Sequence, residues 1–312
     1  MTIQKLGIVV IYLVEADNDT LLNIHLDCLR RHTESDYTIY GTANRLLPQF
    51  CPLLDADPNV RIVDCAPPED SLLNIHGHLE HGYYLDSLTR AAFEDGCSHV
   101  ATFHVDSFPV RRGWDTEMAS TLTDSAPVTA ILRAENGDKF LPFPGGLLFT
   151  RDFYEKYDPR FLTTDDVMQS PDYREFMRVF EQARDSGLGY GFALWKNNLE
   201  WRRLLRSNAV DEHYLIGGIY GDLIFHLGFA ARPIKSDRGD KFHTPGWRGG
   251  VRRLFQKLPW EARIAARRVI PHNLIDSASQ AALNYVTYEK VRQNLFARPQ
   301  EYLDYLRTGN RS

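Results

Sequence analysis

The stretch Ser98–Trp114, SHVATFHVDSFPVRRGW, decides how this chain is read. Its first half is a short apolar run with β-branched and aromatic residues, the pattern of a buried strand, and Pro109 ends any regular hydrogen-bond ladder. Between the two lies His104-Val105-Asp106. Side chains two apart on an extended segment point the same way, so His104 and Asp106 share one target at the strand's end. A carboxylate and an imidazole there suit a divalent ion that leaves positions free for phosphate and water. The competing structural role is a polar turn, in which Asp106 caps the backbone and His104 hydrogen-bonds inside the sheet.

Working outward, LGIVVIYLV, DYTIYGTA, NVRIVDCA and PVTAILRA read as further strands bounded by turn-forming residues. Helical patterns separate several of them, over residues 20–32 with Leu22, Leu26 and Leu29 on one face, and over residues 79–94 with Tyr83, Leu85, Leu88, Ala91 and Ala92. Alternation of strand and helix predicts an α/β fold with a mostly parallel central sheet flanked by helices, which binds ligands at the carboxyl ends of its strands. After Gly145 the rhythm changes. DYREFMRVFEQARDSG and ALWKNNLEWRRLLRSNAV read as longer helical or irregular segments, amphipathic enough to pack over the sheet and form one side of a cleft.

With 312 residues, 43% of them hydrophobic, the chain can bury a sizeable core. Its 4 cysteines form no CxxC pair, so neither a disulfide framework nor a cysteine zinc site is indicated, and a reducing compartment fits. The apolar run near the start is too short to span a bilayer and reads as a buried first strand. The net charge of −5 is uneven: from Arg248 onward 12 Lys/Arg face 5 Asp/Glu, +7, which leaves −12 for residues 1–247. The expected organisation is therefore a domain over 1–247, with halves 1–115 and 116–247, followed by a basic helical extension over 248–312. Leu254, Phe255, Leu258, Trp260, Ile264 and Val269 interleave with the basic residues, a pattern for peripheral contact with a membrane surface or for packing between copies in an oligomer. No nucleic-acid module is recognisable. A cytoplasmic protein, with peripheral attachment to the inner membrane face as the variant, is the expected location.

The longer segment HGHLEHGYYLDSLTRAAFEDGCSHVATFHVDSFPVRRGWDTEM resembles the central segment of inverting GT-A glycosyltransferases, in which a helix, an apolar strand, a DxD triplet, a proline and a Gly-Trp follow in this order. Asp106 matches the second aspartate, Pro109 the proline, and Gly113-Trp114 the Gly-Trp; His104 stands where the first aspartate would be. LGIVVIYLVEADNDTLLNIHLDCLRRHT is similar to the family's first strand and helix, and PFPGGLLFTRDFYEKYDPRF to its acceptor-side segment. The resemblance implies a GT-A (Rossmann-like) sheet and transfer of a sugar, with inversion, from a nucleotide-sugar donor, a UDP-sugar favoured, to a glycan, lipid-linked or other hydroxyl acceptor. It implies Mn or Mg held by Asp106 with His104 and with His243 of the late KFHTPGW loop. By position it implies donor contacts from Leu13, Val14 and Glu15, from Thr42 and Asn44, and from His81, Gly82 and Asp86, alongside His104 and Asp106.

In DEHYLIGGIYGDLIFHLGFAARP, Asp222 and His226 stand four apart and would share a face if the segment were helical. GDLIFHLGF is similar to the end of the family's catalytic-acid pattern, which makes Asp222 the first candidate for general base, with Asp211 and Glu212 behind it. Such a carboxylate takes the proton from the acceptor hydroxyl as it attacks. The plainer reading makes Asp222 a helix cap and His226 a packed core histidine. Two other functions compete with sugar transfer. A nucleotidyltransferase wants a glycine-rich basic loop after the first strand, where this chain has the acidic LVEADND; a catalytically silent GT-A-like scaffold or glycan-binding protein is suggested by HVD in place of DxD.

Overall fold

Leu6, Ile8, Val9, Val10 and Tyr12 are all fully buried, so the first strand has core on both faces, as an interior strand of a parallel sheet must. The computed structural model describes residues 2–14, 19–66, 77–136, 138–181, 185–213, 216–228 and 278–310. The first half runs β1 (Leu6–Val14), α1 (Asp19–His32), β2 (Tyr37–Leu46), α2 (Cys51–Asp55), β3 (Val60–Ile62), α3 (Gly77–Glu94), β4 (His99–His104), β5 (Ser107–Pro109) and α4 (Trp114–Ser120). There follow β6 (Val128–Ile131), β7 (Phe143–Thr150), α5 (Arg151–Tyr157), α6 (Asp165–Gln169), α7 (Pro171–Phe180), α8 (Leu188–Lys196), β8 (Arg202–Leu204), β9 (Gly218–Tyr220), β10 (Ile224–His226), α9 (Ala278–Ala297) and α10 (Pro299–Thr308).

Seven strands form one sheet in the order β3-β2-β1-β4-β7-β6-β8. Only β7 runs antiparallel to its neighbours, so the sheet is mostly parallel, as the alternating pattern predicts. The inward and outward residues of β1 divide between two cores. Leu6, Ile8, Val10 and Tyr12 join Leu22, Leu26 and Leu29 of α1, whereas Val9 joins Leu85, Leu88 and Ala92 of α3. Chain order reverses between β1 and β4, which opens a crevice at the carboxyl ends of these strands. Beyond β4 the chain leaves the sheet and enters a second, three-stranded one, β5-β10-β9. Gly113, at φ 73, turns it into α4, and Trp114 is buried edge-on against Phe103, their rings 5.0 Å apart.

Two segments open to a helical reading are not helical throughout. ALWKNNLEWRRLLRSNAV is helical only to Lys196; Asn198 then takes a left-handed conformation, φ 52, and Arg202–Leu204 pairs with β6 as β8. Asparagine tolerates this conformation, and the amide of Asn197 donates to the carbonyl of Ala193 (2.8 Å), closing the last turn. The second correction is the segment around Asp222, which is a β-hairpin. β9 and β10 pair antiparallel across the three-residue turn 221–223, in which Gly221 and Asp222 take φ values of 58 and 62 and the N–H of Leu223 donates to the carbonyl of Tyr220 (3.0 Å).

Tyr288, Val291 and Leu295 of α9 and Tyr302, Leu303 and Leu306 of α10 belong to the same core as β1 and α1. Most of the basic segment with its interleaved apolar residues lies outside the described residues. No described helix is long and apolar enough to cross a membrane.

Candidate metal and nucleotide site

The turn after β4 is held from several sides. Ser107 Oγ accepts from the backbone N–H of His104 (2.8 Å) and lies 3.2 Å from its carbonyl, and the N–H of Leu227 donates to the carbonyl of Asp106 (2.9 Å). Buried His25 of α1 reaches the carbonyl of Ser107 through Nδ1 at 3.2 Å. Across the small sheet, Ser107 is the register partner of His226. Strand pairing therefore brings a third ligand-type side chain to the two that the local sequence provides.

His104, Asp106 and His226 each present one ligand atom, all within 4.8 Å of one another. Asp106 Oδ1 is 3.9 Å from His104 Nδ1, and Oδ2 is 3.8 Å from His226 Nε2. These distances are too long for hydrogen bonds. Burial, followed by the neighbouring positive charge of Arg133 and Arg206, pushes His226 down to about 3. Burial does the same to His104, with His81, His226 and Arg133 adding to the effect and Asp106 opposing it. Both rings are thus neutral at neutral pH, so the contacts are not ion pairs and ring nitrogens carry lone pairs for a metal. His104 Nε2 is buried without a hydrogen-bond partner.

These donors fit a divalent ion. Bonds of about 2.1 Å at roughly right angles put ligand atoms about 3 Å apart, so a side-chain closure of about 1–2 Å completes the set. Three protein ligands leave positions for phosphate oxygens and water.

Phe143 packs against both histidines, its ring centroid 5.1 Å from His104 and 5.0 Å from His226, whose own rings are 6.2 Å apart. The Arg133 guanidinium covers that ring at 3.7 Å and pairs with Asp138 (2.8 Å) and Asp185 (3.1 Å). Asp185 Oδ1 accepts from the N–H of Ser186 (2.8 Å), Ser186 Oγ is 2.9 Å from His81 Nδ1, and His81 stands edge-on to His104 at 4.9 Å. A closed ring of contacts thereby fixes the rotamers around the cluster. Sequence reading singled out His81 in it but not Arg133, which follows β6, or Asp185 and Ser186, which precede α8; none of these three carries a local motif. For His226 the sequence carries a hairpin signal, GIY and IFH about Gly221-Asp222-Leu223, but nothing local that names the strand it pairs with.

The other expected site residues are distributed as follows. Thr42 pairs with Ile11, and Ile11 with His104, so the three form a row across β2, β1 and β4; the Thr42 side chain is fully buried. Gly82 and Asp86, one helical turn apart on α3, both face the Phe161–Leu162 backbone. A Cβ on Gly82 would come within 2.8 Å of the Phe161 carbonyl, and the buried Asp86 carboxyl accepts from the N–H groups of Phe161 (2.8 Å) and Leu162 (2.9 Å). Burial pushes Asp86 up to about 7, against the opposing effect of those two donors.

Asp222, Asp211 and Glu212 are not among the atoms gathered around Asp106. Asp222 sits at the hairpin turn, roughly 13 Å along the chain from His226 at strand rise, and pairs with Arg111 at 3.2 Å. Asp211 accepts from Arg206 at 2.8 Å, and Glu212, its side chain 10% exposed, pairs with Lys290 at 3.0 Å. The side chains of Leu13, Val14 and Asn44, and the whole of Glu15 and His243, lie outside the described residues.

No protein-family model matches the chain, and no curated protein matches it. Among solved structures it is similar to the mannosyltransferase PcManGT from Pyrobaculum calidifontis in complex with GDP-Man and Mn2+, at 10% identity and TM-score 0.44, covering 98% of this chain and 85% of that one. It is also similar to the galactosyltransferase LgtC in complex with donor and acceptor sugar analogs, at 10% identity and TM-score 0.37 over 65% of this chain and 73% of that one. A third is A197 from STIV, at 12% identity and TM-score 0.34 over 74% of this chain and 98% of that one. These overlaps are loose, and the chemistry is carried by the site itself.

Proposed function

We propose that this protein is a GT-A-type glycosyltransferase that moves a sugar from a nucleotide-sugar donor, a UDP-sugar by preference, to a hydroxyl on a glycan or lipid-linked acceptor. The observation that carries this reading is the His104, Asp106, His226 cluster at the carboxyl end of β4, beside the crevice where strand order reverses. A divalent ion bound there would neutralise charge that builds up on the leaving diphosphate. Asp106 is the anionic ligand, and His104 and His226 complete the set from the two sides.

The chain's own residues have further tasks. By their place in the sequence, Leu13, Val14 and Glu15, with Thr42 and Asn44, are the candidates for base and ribose contacts. Arg133, tied to Asp138 and Asp185, holds Phe143 against both imidazoles and fixes their orientation. For the acceptor proton, Asp222 is the first candidate, with Asp211 and Glu212 behind it; each of the three is held by a basic side chain, Arg111, Arg206 and Lys290 respectively. Direct attack of the deprotonated hydroxyl gives inversion.

Calorimetric titration with UDP, with and without Mn2+, tests the reading. Metal-dependent binding that Asp106→Asn reduces at least tenfold is expected. No binding of UDP or GDP under either condition would sink it, and donor hydrolysis equal in wild type and Asp106→Ala would indicate a catalytically silent protein.

A further inference from the structure

We propose that the cavity between α9, α10 and the loop after β8 binds an uncharged, hydroxyl-rich ring, that is, a single sugar residue. The inference goes beyond the transfer reading. Neither helix nor that loop supplies a ligand to the metal cluster, and binding here requires no transfer.

Helical spacing builds the walls. Lys290 and Asn294 stand four apart on α9, Tyr302 and Tyr305 three apart on α10, and the helices meet at Arg298, where Pro299 starts the second. With Glu212 they line a cavity of 350 Å³, at the lower end of the range for small-molecule sites. The backbone on either side of Glu212 is clamped by Arg206, whose guanidinium donates to Asp211 Oδ1 (2.8 Å) and to the carbonyl of His213 (2.9 Å).

Two polar groups at this cavity are costly as they stand. The Glu212 side chain is 10% exposed, and Lys290 Nζ, 3.0 Å from its Oε2, is out of line for a hydrogen bond. Tyr302 is 6% exposed, and its Oη, beside Asn294, forms no hydrogen bond of good geometry among the described residues. Burying such groups without full hydrogen bonding lowers stability, and a ligand that supplies the bonds recovers it. Charge then selects the class of ligand. Lys290 pairs with Glu212 and Arg298 with Glu301 (3.2 Å), so the lining has no net charge with which to recruit an ion. It offers a carboxylate, an amide and a phenol, which ligand hydroxyls satisfy as donors and acceptors alike. The rings of Tyr302 and Tyr305, 6.4 Å apart, give an aromatic wall for the C–H face of a sugar. Lys290, 62% exposed on a flexible stem, can yield Glu212 to a hydroxyl.

Saturation-transfer NMR on the full-length chain tests this with the methyl glycosides of glucose, galactose and mannose, and with phosphate and glycine as ionic competitors. Calorimetry supplies the affinities. At least one glycoside is expected to bind with a Kd on the order of 1 mM, unaffected by either competitor. Tyr302→Phe and Glu212→Gln should each weaken it at least fivefold and Tyr305→Ala at least tenfold, in variants that circular dichroism shows to be folded. Asp106→Asn should leave it within twofold. No glycoside binding, binding untouched by Tyr302→Phe and Glu212→Gln, binding lost in Asp106→Asn, or displacement by phosphate or glycine would overturn the proposal. Glycoside binding in a protein that binds no nucleotide would uphold the site and count only against the transfer reading.

Discussion

At the scale of single residues, His25 and Ser107 determine where the ligands stand. Ser107 holds the backbone of His104 through its hydroxyl and faces His226 through the strand register, and His25 supports it from α1. With Nδ1 donating, the other ring nitrogen of His25 is left buried and unpartnered, and burial lowers the ring to about 4. A polar group kept in a core at such a desolvation cost is expected to have a positioning role. His25→Leu should therefore weaken Mn2+ or Co2+ binding by roughly 10- to 100-fold, the range typical of residues that orient metal ligands. His25→Asn, whose amide can reach the same carbonyl, should recover most of that affinity. Calorimetry gives the affinities and thermal unfolding the stabilities. If both variants lose stability while folded protein keeps wild-type metal affinity, His25 is only a packing residue.

Elements explain which parts of this architecture were legible in the sequence. β1, β2 and β4 and helices α1 and α3 are long enough for period and burial to identify them, and the two-residue spacing of His104 and Asp106 was enough to pair them. β8, β9 and β10 have three residues each, fewer than a period needs to declare itself. Trp201, Leu204 and Leu205 also satisfy a helical spacing, so the break at Asn198 was invisible without its backbone angle. His226 joins the site only through the pairing of β10 with β5, a contact between remote parts of the chain that no local motif encodes. The hairpin turn that aims it yields a direct prediction. Asp222→Asn keeps a side chain that tolerates positive φ, and should leave metal affinity within about twofold and stability within about 0.5 kcal/mol. Asp222→Val places a β-branched residue at φ 62 and should cost about 1–3 kcal/mol, with weaker metal binding as the strand carrying His226 shifts. Urea unfolding and calorimetry measure the two effects. If donor hydrolysis collapses in Asp222→Asn while folding and metal binding stay intact, Asp222 is a catalytic base.

For the whole molecule, the site and the fold depend on the same buried imidazoles. α9 and α10 close the core behind α1, so the helix that carries His25 is covered on both sides. His25 and His99, both nearly inaccessible to solvent, are lowered to about 4 by burial. A histidine whose folded value lies below its unfolded value of about 6.5 binds fewer protons in the native state, so its stabilising effect is complete above that pH and is lost as pH falls through 6.5 toward 4. At pH 5 each such ring lowers folding stability by about 2 kcal/mol. Asp86 acts in the opposite sense. Its folded value of about 7 lies above the unfolded one, so its contribution is complete below about 4 and declines as pH rises through 7. Two histidines lie behind the site, His104 and His226 lie within it, and one carboxyl opposes them, so acidification should destabilise the native state overall. Urea midpoints measured on metal-free protein at pH 7.5, 6 and 5 should fall steadily. His99→Gln, which removes one titrating ring, should fall less steeply than wild type, and Asp86→Asn, which removes the opposing carboxyl, more steeply. A wild-type midpoint that is flat or rises toward pH 5, with the variants parallel to it, would show that these rings are hydrated and protonated in the native state and that the core around α1 is more open than its packing indicates.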